Sequence, residues 1–142
     1  MHIVEFASGT LRFLEEVPAK PPSRGFIWIY AERESLEAEI DRLQDAALKL
    51  GGSAILDLHM KDLGNRAHPS YYDYTSVYDL VVFRRLATQD EVRSENPHAE
   101  PPPDSPLDAF NRISTRAVGF VVFDRLLITM HPAGCFAANA FI

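Results

Sequence analysis

The sequence is short of the residues that several classes of protein require. It has one cysteine, Cys135, so it can form neither an intramolecular disulfide nor a zinc site built from several cysteines. Its 14 lysines and arginines are outnumbered by 20 acidic residues. The net charge of −6 argues against a nucleic-acid partner, because neutralising phosphates needs clustered basic residues. A reducing, cytoplasmic setting is the default expectation for such a chain.

Long apolar runs are missing too. No run approaches the roughly 20 residues that span a bilayer, and residues 1–6 lack the features of a secretory signal. The chain does have 142 residues that are 46% hydrophobic, which is enough for one domain with a core. Residues 132–142 form an apolar tail without a closing cap, so we expect the chain to be part of a longer protein.

The amino-terminal third predicts strands followed by a helix. Residues 2–7 and 11–14 read as two short strands around a tight turn at Gly9, and residues 25–30 are rich in aromatic and β-branched side chains typical of a buried strand.

An amphipathic helix is predicted next, because apolar residues recur at alternating spacings of four and three. These residues are Leu36, Ile40, Leu43, Ala47 and Leu50. Ser35 is the expected cap at the start of this helix, and Gly51 is the expected left-handed residue at its end. A second, shorter helix is predicted around residues 58–63 and ends at Gly64 and Asn65.

The second half of the chain predicts the centre of the sheet. Residues 71–84 are rich in Tyr, Val and Phe and predict one long strand. Residues 113–123 and 126–130 predict a hairpin that turns at Asp124 and Arg125. Since apolar residues fall on both faces of this hairpin, the pattern indicates a central position in a sheet covered by helices, that is, an α/β fold.

A proline-rich stretch separates these strands. Residues 88–109 hold five of the ten prolines and are otherwise polar. Such a segment can neither join a sheet interior nor bury much apolar area, so we predict a surface loop.

Four side chains within twelve residues could bind a metal: Asp57, His59, Asp62 and His68. A small metal-dependent hydrolase is one interpretation of this set. The sequence has no His-Glu-x-x-His motif and no paired catalytic carboxylates to support the hydrolase interpretation. For Asp62 and His59, a capping or surface role is the alternative to metal binding. We expect His131, next to Pro132, to have a structural role at a strand end, and Cys135 to be a packing residue.

Two stretches resemble a known family. Residues 55–85 read ILDLHMKDLGNRAHPSYYDYTSVYDLVVFRR, and residues 120–132 read FVVFDRLLITMHP. Both are similar to the soluble domain of CorA-type divalent-cation transporters, which carry Mg²⁺ or Co²⁺, or Zn²⁺ in the ZntB-like subfamily. The first stretch resembles the family's acidic segment before an Asn, the second its closing hairpin, and Trp28 matches a Trp ahead of the family's first long helix.

The resemblance implies a single amino-terminal domain over residues 1–142, with a three-layer α/β/α fold around a mixed sheet. In the complete protein such a domain lies on the cytoplasmic side of the inner membrane and assembles as a homopentamer, without enzymatic activity. The family's stalk helix, membrane helices and Gly-Met-Asn pore signature are absent from this sequence, so this chain alone would not transport ions. A free-standing ligand-binding or interaction module of the same fold is the alternative.

The resemblance also implies a metal site at Asp62. In the family this Asp helps to hold a regulatory cation, here Mg²⁺ with Co²⁺ or Zn²⁺ as alternatives, and a carboxylate from a neighbour's stalk completes the site. Lys61 stands where an acidic residue is common, and His68-Pro69-Ser70 replaces a basic run. Because a neighbouring cation repels a second one, we expect weak binding in the isolated domain.

Overall fold

The structure is a computed structural model that describes residues 1–98, 101–135 and 140. The predicted apolar tail falls in part outside these residues, since Phe136, Phe141 and Ile142 are not among them.

A seven-stranded mixed sheet forms the centre of the fold. Its strands are β1 (His2–Ala7), β2 (Thr10–Leu14), β3 (Gly25–Glu32), β4 (Tyr71–Tyr74), β5 (Asp79–Leu86), β6 (Thr115–Val122) and β7 (Leu126–His131). They follow the order β2-β1-β3-β7-β6-β5-β4, in which β3 and β7 are parallel and all other neighbours are antiparallel. The α/β fold with a central mixed sheet is therefore confirmed.

The predicted hairpin lies at the middle of this sheet. Its strands β6 and β7 pair with each other, and each has a further neighbour, so neither is an edge strand. Val121, Ile128 and Met130 are almost fully buried. The short chain reversal at Asp124 and Arg125 is closed by a hydrogen bond from the Phe123 N–H to the Leu126 carbonyl, 2.8 Å long.

Two helices cover one face of the sheet. They are α1 (Leu36–Ala46), which continues through one wider π turn (Ala47–Gly51), and α2 (Asp57–Gly64). The core between them and the sheet contains Leu43, Leu63 and Ile29, all buried. Gly119 permits the close packing of α2, because an added Cβ there would lie 2.3 Å from Leu63 Cδ2.

The opposite face carries α3 (Gln89–Glu95) at one end. Strand alternation places Arg85 and Arg116 on this face, where they form ion pairs with Glu91 and Glu95 of α3. Helices thus lie on both sides of the sheet. Much of this face is nevertheless open to solvent, and we call it the aromatic face. Its exposed aromatic side chains are Phe13, Phe26, Tyr72, Tyr74 and Phe83.

The structure divides the predicted long strand over residues 71–84 into β4 and β5. A tight turn separates them, in which the Thr75 hydroxyl accepts hydrogen bonds from the N–H groups of Val77 and Tyr78. The Thr75 N–H also donates to the Tyr78 carbonyl. A threonine side chain that satisfies the turn's own backbone competes with continuation of the strand.

Three further details differ from the sequence predictions. Ser35 makes no capping hydrogen bond, because a short 3-10 turn (Arg33–Ser35) leads directly into α1. The left-handed residue after the helix is Gly52, with φ of 86°, whereas Gly51 lies inside the π turn against Phe123. The proline-rich segment 88–109 is not an irregular loop throughout, since α3 and α4 (Pro106–Asn111) form there with the capping side chains of Thr88 and Ser105. No residue of these two helices is buried.

Candidate functional site

Asp62 lies near the end of α2, where the chain leaves the helix toward β4. Its side chain is 18% exposed, and its Oδ1 lies 3.3 Å from Nε2 of His68. His68 is similarly shielded, with 14% of its side chain exposed. Asp62 is thus on the rim of the domain rather than inside apolar packing, and it is paired with an imidazole.

His59 forms a second histidine–carboxylate pair on the same helix. Nε2 of His59 lies 3.0 Å from Oδ2 of Asp73 on β4, and Nδ1 lies 2.8 Å from the Tyr78 hydroxyl. These partners fix the tautomer, since the carboxylate can only accept a hydrogen bond: Nε2–H donates to Asp73, and Nδ1 accepts from Tyr78. The Tyr78 oxygen also accepts from the Leu56 N–H at 2.9 Å, so Tyr78 ties the start of α2 to the turn between β4 and β5.

Tyr71 lies between the two pairs. Its hydroxyl donates to Oδ2 of Asp73 at 3.1 Å, and its ring centroid lies 5.3 Å from that of His68. The hydrogen bond to Asp73 raises the pKa of Tyr71. The hydrogen bond from His59 lowers the pKa of Asp73, which keeps that carboxylate ionised. The result is a rim with two carboxylates, each paired with an imidazole, and one of them also bound by the Tyr71 hydroxyl.

The four possible ligands do not converge. Asp62 and His68 come together, whereas His59 is 2% exposed and turns inward to Tyr78 and Asp73. Asp57 lines a cleft between α1 and α2, together with Lys61. Within residues 1–98, 101–135 and 140, no group of three or more His, Cys, Asp or Glu side chains could hold a metal ion.

Sequence reasoning missed Asp73 and Tyr78. Both follow from the chain reversal at Thr75, which brings β4 back along β5 and places Asp73 on the same face as Leu80. The Thr-Ser pair before Val77 was the available signal, because hydroxyl side chains of this kind favour turns.

His131 and Cys135 are buried on the opposite face. Cys135 packs with Tyr30, and its sulfur accepts a hydrogen bond from Nη2 of Arg85 at 3.3 Å. Both ring nitrogens of His131 are buried without a hydrogen-bond partner. Burial and the nearby charges of Arg85 and Arg33 lower the pKa of His131 to about 4, so the imidazole is neutral at pH 7.

Comparison with known proteins gives structural likeness only. No protein-family model matches the sequence, and no curated protein matches it. In the part of the chain that the structure covers, no helix is long and apolar enough to cross a membrane.

Two solved structures from Methanocaldococcus jannaschii are similar in fold. The complete structure of the CorA magnesium transporter matches 99% of this chain with a TM-score of 0.59 and 13% identity. The soluble domain of CorA matches 98% of it with a TM-score of 0.57 and 15% identity. The chain spans 34% of the first structure's length and 44% of the second's. The protein therefore has the fold of the CorA soluble domain, as the sequence resemblance predicted.

Proposed function

We propose that this chain is a regulatory and assembly-forming soluble domain of a CorA-type transporter of divalent cations, with Mg²⁺, Co²⁺ or Zn²⁺ as the transported ion. The observation that carries the proposal is the match of nearly the whole chain to the soluble part of a magnesium transporter. Neither neighbour is an enzyme, and we propose no catalytic activity. The complete protein would be a homopentamer in the inner membrane, with this domain on the cytoplasmic side.

The aromatic face supports a role within a larger assembly. Phe83 and Tyr72, on the neighbouring strands β5 and β4, are each more than half exposed there, as is Phe13 on the far edge strand β2. Exposed apolar surface of this kind is typical of an interaction site. The chain spans about a third of the complete transporter that it resembles, so further parts of the protein would be available to cover this face.

A regulatory cation would bind at Asp62 with the help of a second subunit. Asp62 offers one carboxylate at the rim, and hard cations such as Mg²⁺ require several oxygen ligands. Asp62 and His68 could supply only part of such a site, because His68 is the only side chain of a metal-binding type that is paired with Asp62 in the described part of the chain. A carboxylate from a neighbouring stalk helix would complete it. Occupancy would then favour the assembled, closed state over the open one.

The test is a magnesium titration of the isolated domain, followed by backbone amide NMR. We expect weak binding, with a dissociation constant on the order of millimolar, and shifts centred on Asp62 and His68. Asp62→Asn should abolish these shifts. Asp41→Asn, on the exposed side of α1, is the matched control and should leave them unchanged.

Two outcomes would contradict this part of the proposal. One is a tight magnesium site in the isolated domain that Asp62→Ala removes, since the domain alone should lack the completing ligand. The other is the absence of any shift near α2 at tens of millimolar magnesium. Sedimentation provides a second check: we expect a monomer or weak association, and a stable pentamer at micromolar concentration would contradict it.

A further inference from the structure

A cleft of about 630 Å³ lies between α1 and α2, apart from the rim at Asp62. Its volume is in the range of small-molecule sites. Leu36 and Met60 form a mostly buried apolar floor, and Ile40 lies at its edge with 36% of its surface exposed. The cleft therefore offers apolar surface to a ligand of modest size.

Arg33 lines the same cleft, and its positive charge is buried. The residue is 8% exposed, yet its guanidinium has no acidic partner in the described part of the chain. Nε donates to the Leu63 carbonyl at 3.0 Å and Nη2 to the Ala117 carbonyl at 2.6 Å. These two bonds fix the plane of the guanidinium. Burial lowers the pKa of Arg33, and the nearby charge of Glu34 offsets this only in part. A buried charge that is incompletely compensated is costly, and an incoming anion would reduce that cost.

One nitrogen of the guanidinium has no hydrogen-bond partner among the described residues. Nη1 of Arg33 makes no hydrogen bond within residues 1–98, 101–135 and 140, and it is not among the fully buried unpaired atoms. Glu34, the adjacent acidic residue, is engaged elsewhere: Oε1 accepts from Arg66 and Oε2 from the Ala133 N–H. The fixed, planar guanidinium is thus arranged to bind a carboxylate.

The mouth of the cleft has the opposite charge. Glu37 and Asp57 are exposed there and form no ion pair among the described residues, and Lys61 is the only exposed cation beside them. An anion without a compensating positive group would meet these two carboxylates on entry. A ligand with both charges would place its carboxylate at Arg33 and its ammonium at the mouth.

From this arrangement we infer that the α1–α2 cleft binds an amphoteric organic acid of amino-acid size, with its carboxylate on Arg33, its apolar part on Leu36 and Met60, and its ammonium between Glu37 and Asp57. This inference does not depend on the proposed transporter function, because it involves neither Asp62 nor a second subunit.

The experiment compares three probes of similar shape by amide NMR titration of the wild-type domain. Leucine carries both charges, 4-methylpentanoate lacks the ammonium, and 3-methylbutylamine lacks the carboxylate. We expect leucine to bind most tightly, with shifts at Lys61, Gly64 and Asn65. Binding of 3-methylbutylamine as tight as that of leucine would overturn the inference, and equal binding of 4-methylpentanoate would overturn the amphoteric ligand class.

Two variants locate the charges. Arg33→Gln keeps a shorter hydrogen-bond donor but removes the positive charge. It should weaken the binding of leucine and of 4-methylpentanoate by tenfold or more. The double variant Glu37→Gln/Asp57→Asn, at two exposed positions, should weaken the binding of leucine by roughly two- to fivefold. It should not weaken the binding of 4-methylpentanoate. Asp41→Asn is the control for removing an acidic residue from α1 outside the cleft.

Circular dichroism and urea unfolding show whether Arg33→Gln is folded. If it is not, the double variant decides, since its positions are exposed and outside the core. Unchanged leucine affinity in folded Arg33→Gln, or in the double variant, would overturn the inference. Leucine-induced shifts that cluster away from α1 and α2 would do the same.

Discussion

Removing the Tyr78 hydroxyl tests how the turn between β4 and β5 holds α2. In Tyr78→Phe the ring remains in its buried position beside Phe123, and only the oxygen is lost. That oxygen accepts from the Leu56 N–H at 2.9 Å and donates to Nδ1 of His59 at 2.8 Å. His59 is 2% exposed, so its Nδ1 would lose its partner without access to water. Leaving a buried polar atom unpaired costs about 1–3 kcal/mol.

Urea unfolding measures this loss directly. With a loss of about 2 kcal/mol and an m-value of about 2 kcal/mol/M, the unfolding midpoint should fall by roughly 1 M urea. Tyr72→Phe is the matched control, because Tyr72 is 58% exposed and its hydroxyl reaches Asp79 only at 3.5 Å. We expect this control to change stability by less than about 0.5 kcal/mol. Equal midpoints for the two variants would refute the role assigned to Tyr78.

Two further predictions concern backbone strain and pH. Gly25→Ala should destabilise the domain by more than about 2 kcal/mol in urea unfolding, because φ is +128° and the new Cβ would lie 1.8 Å from the Phe6 carbonyl oxygen. Gly52→Ala is the control, with φ of +86° and open space around it, and it should lose only about 1 kcal/mol of stability. Equal losses in the two variants would contradict the clash at Gly25. The pKa of His131 is lowered to about 4, so the unfolded chain binds the proton first as the pH falls. The contribution of this residue to stability is therefore complete above about pH 6.5 and is lost toward pH 4. The loss is no more than about 1.4 kcal/mol per pH unit. His131→Phe should flatten the pH dependence of unfolding in this window, and an unchanged slope would contradict it.

The centre of the fold was predictable because local pattern and tertiary position agree there. Residues 113–123 and 126–130 have apolar side chains on both faces, and the structure places β6 and β7 in the middle of the sheet. The break at Thr75 was not predicted, because the β-forming residues on either side mask a turn that depends on one hydroxyl group.

The candidate site was only partly predictable. The pairing of Asp62 with His68 joins residues six positions apart around the end of α2, so proximity in sequence sufficed. The partner of His59 depends on strand register, which places Asp73 opposite Leu80 and under α2. Arg33 gave no sequence signal of its own, because its burial arises from packing against the carbonyls of Leu63 and Ala117, far away in the chain.

Ion flux through the complete gene product is the most direct test of the transporter assignment. The protein would be reconstituted into proteoliposomes, and Mg²⁺, Co²⁺ and Zn²⁺ influx would be followed with an internal fluorescent indicator. We expect influx of at least one of these ions, which slows as the ion accumulates on the side of this domain and slows less in Asp62→Asn. Flux no greater than in protein-free vesicles for all three ions would contradict it.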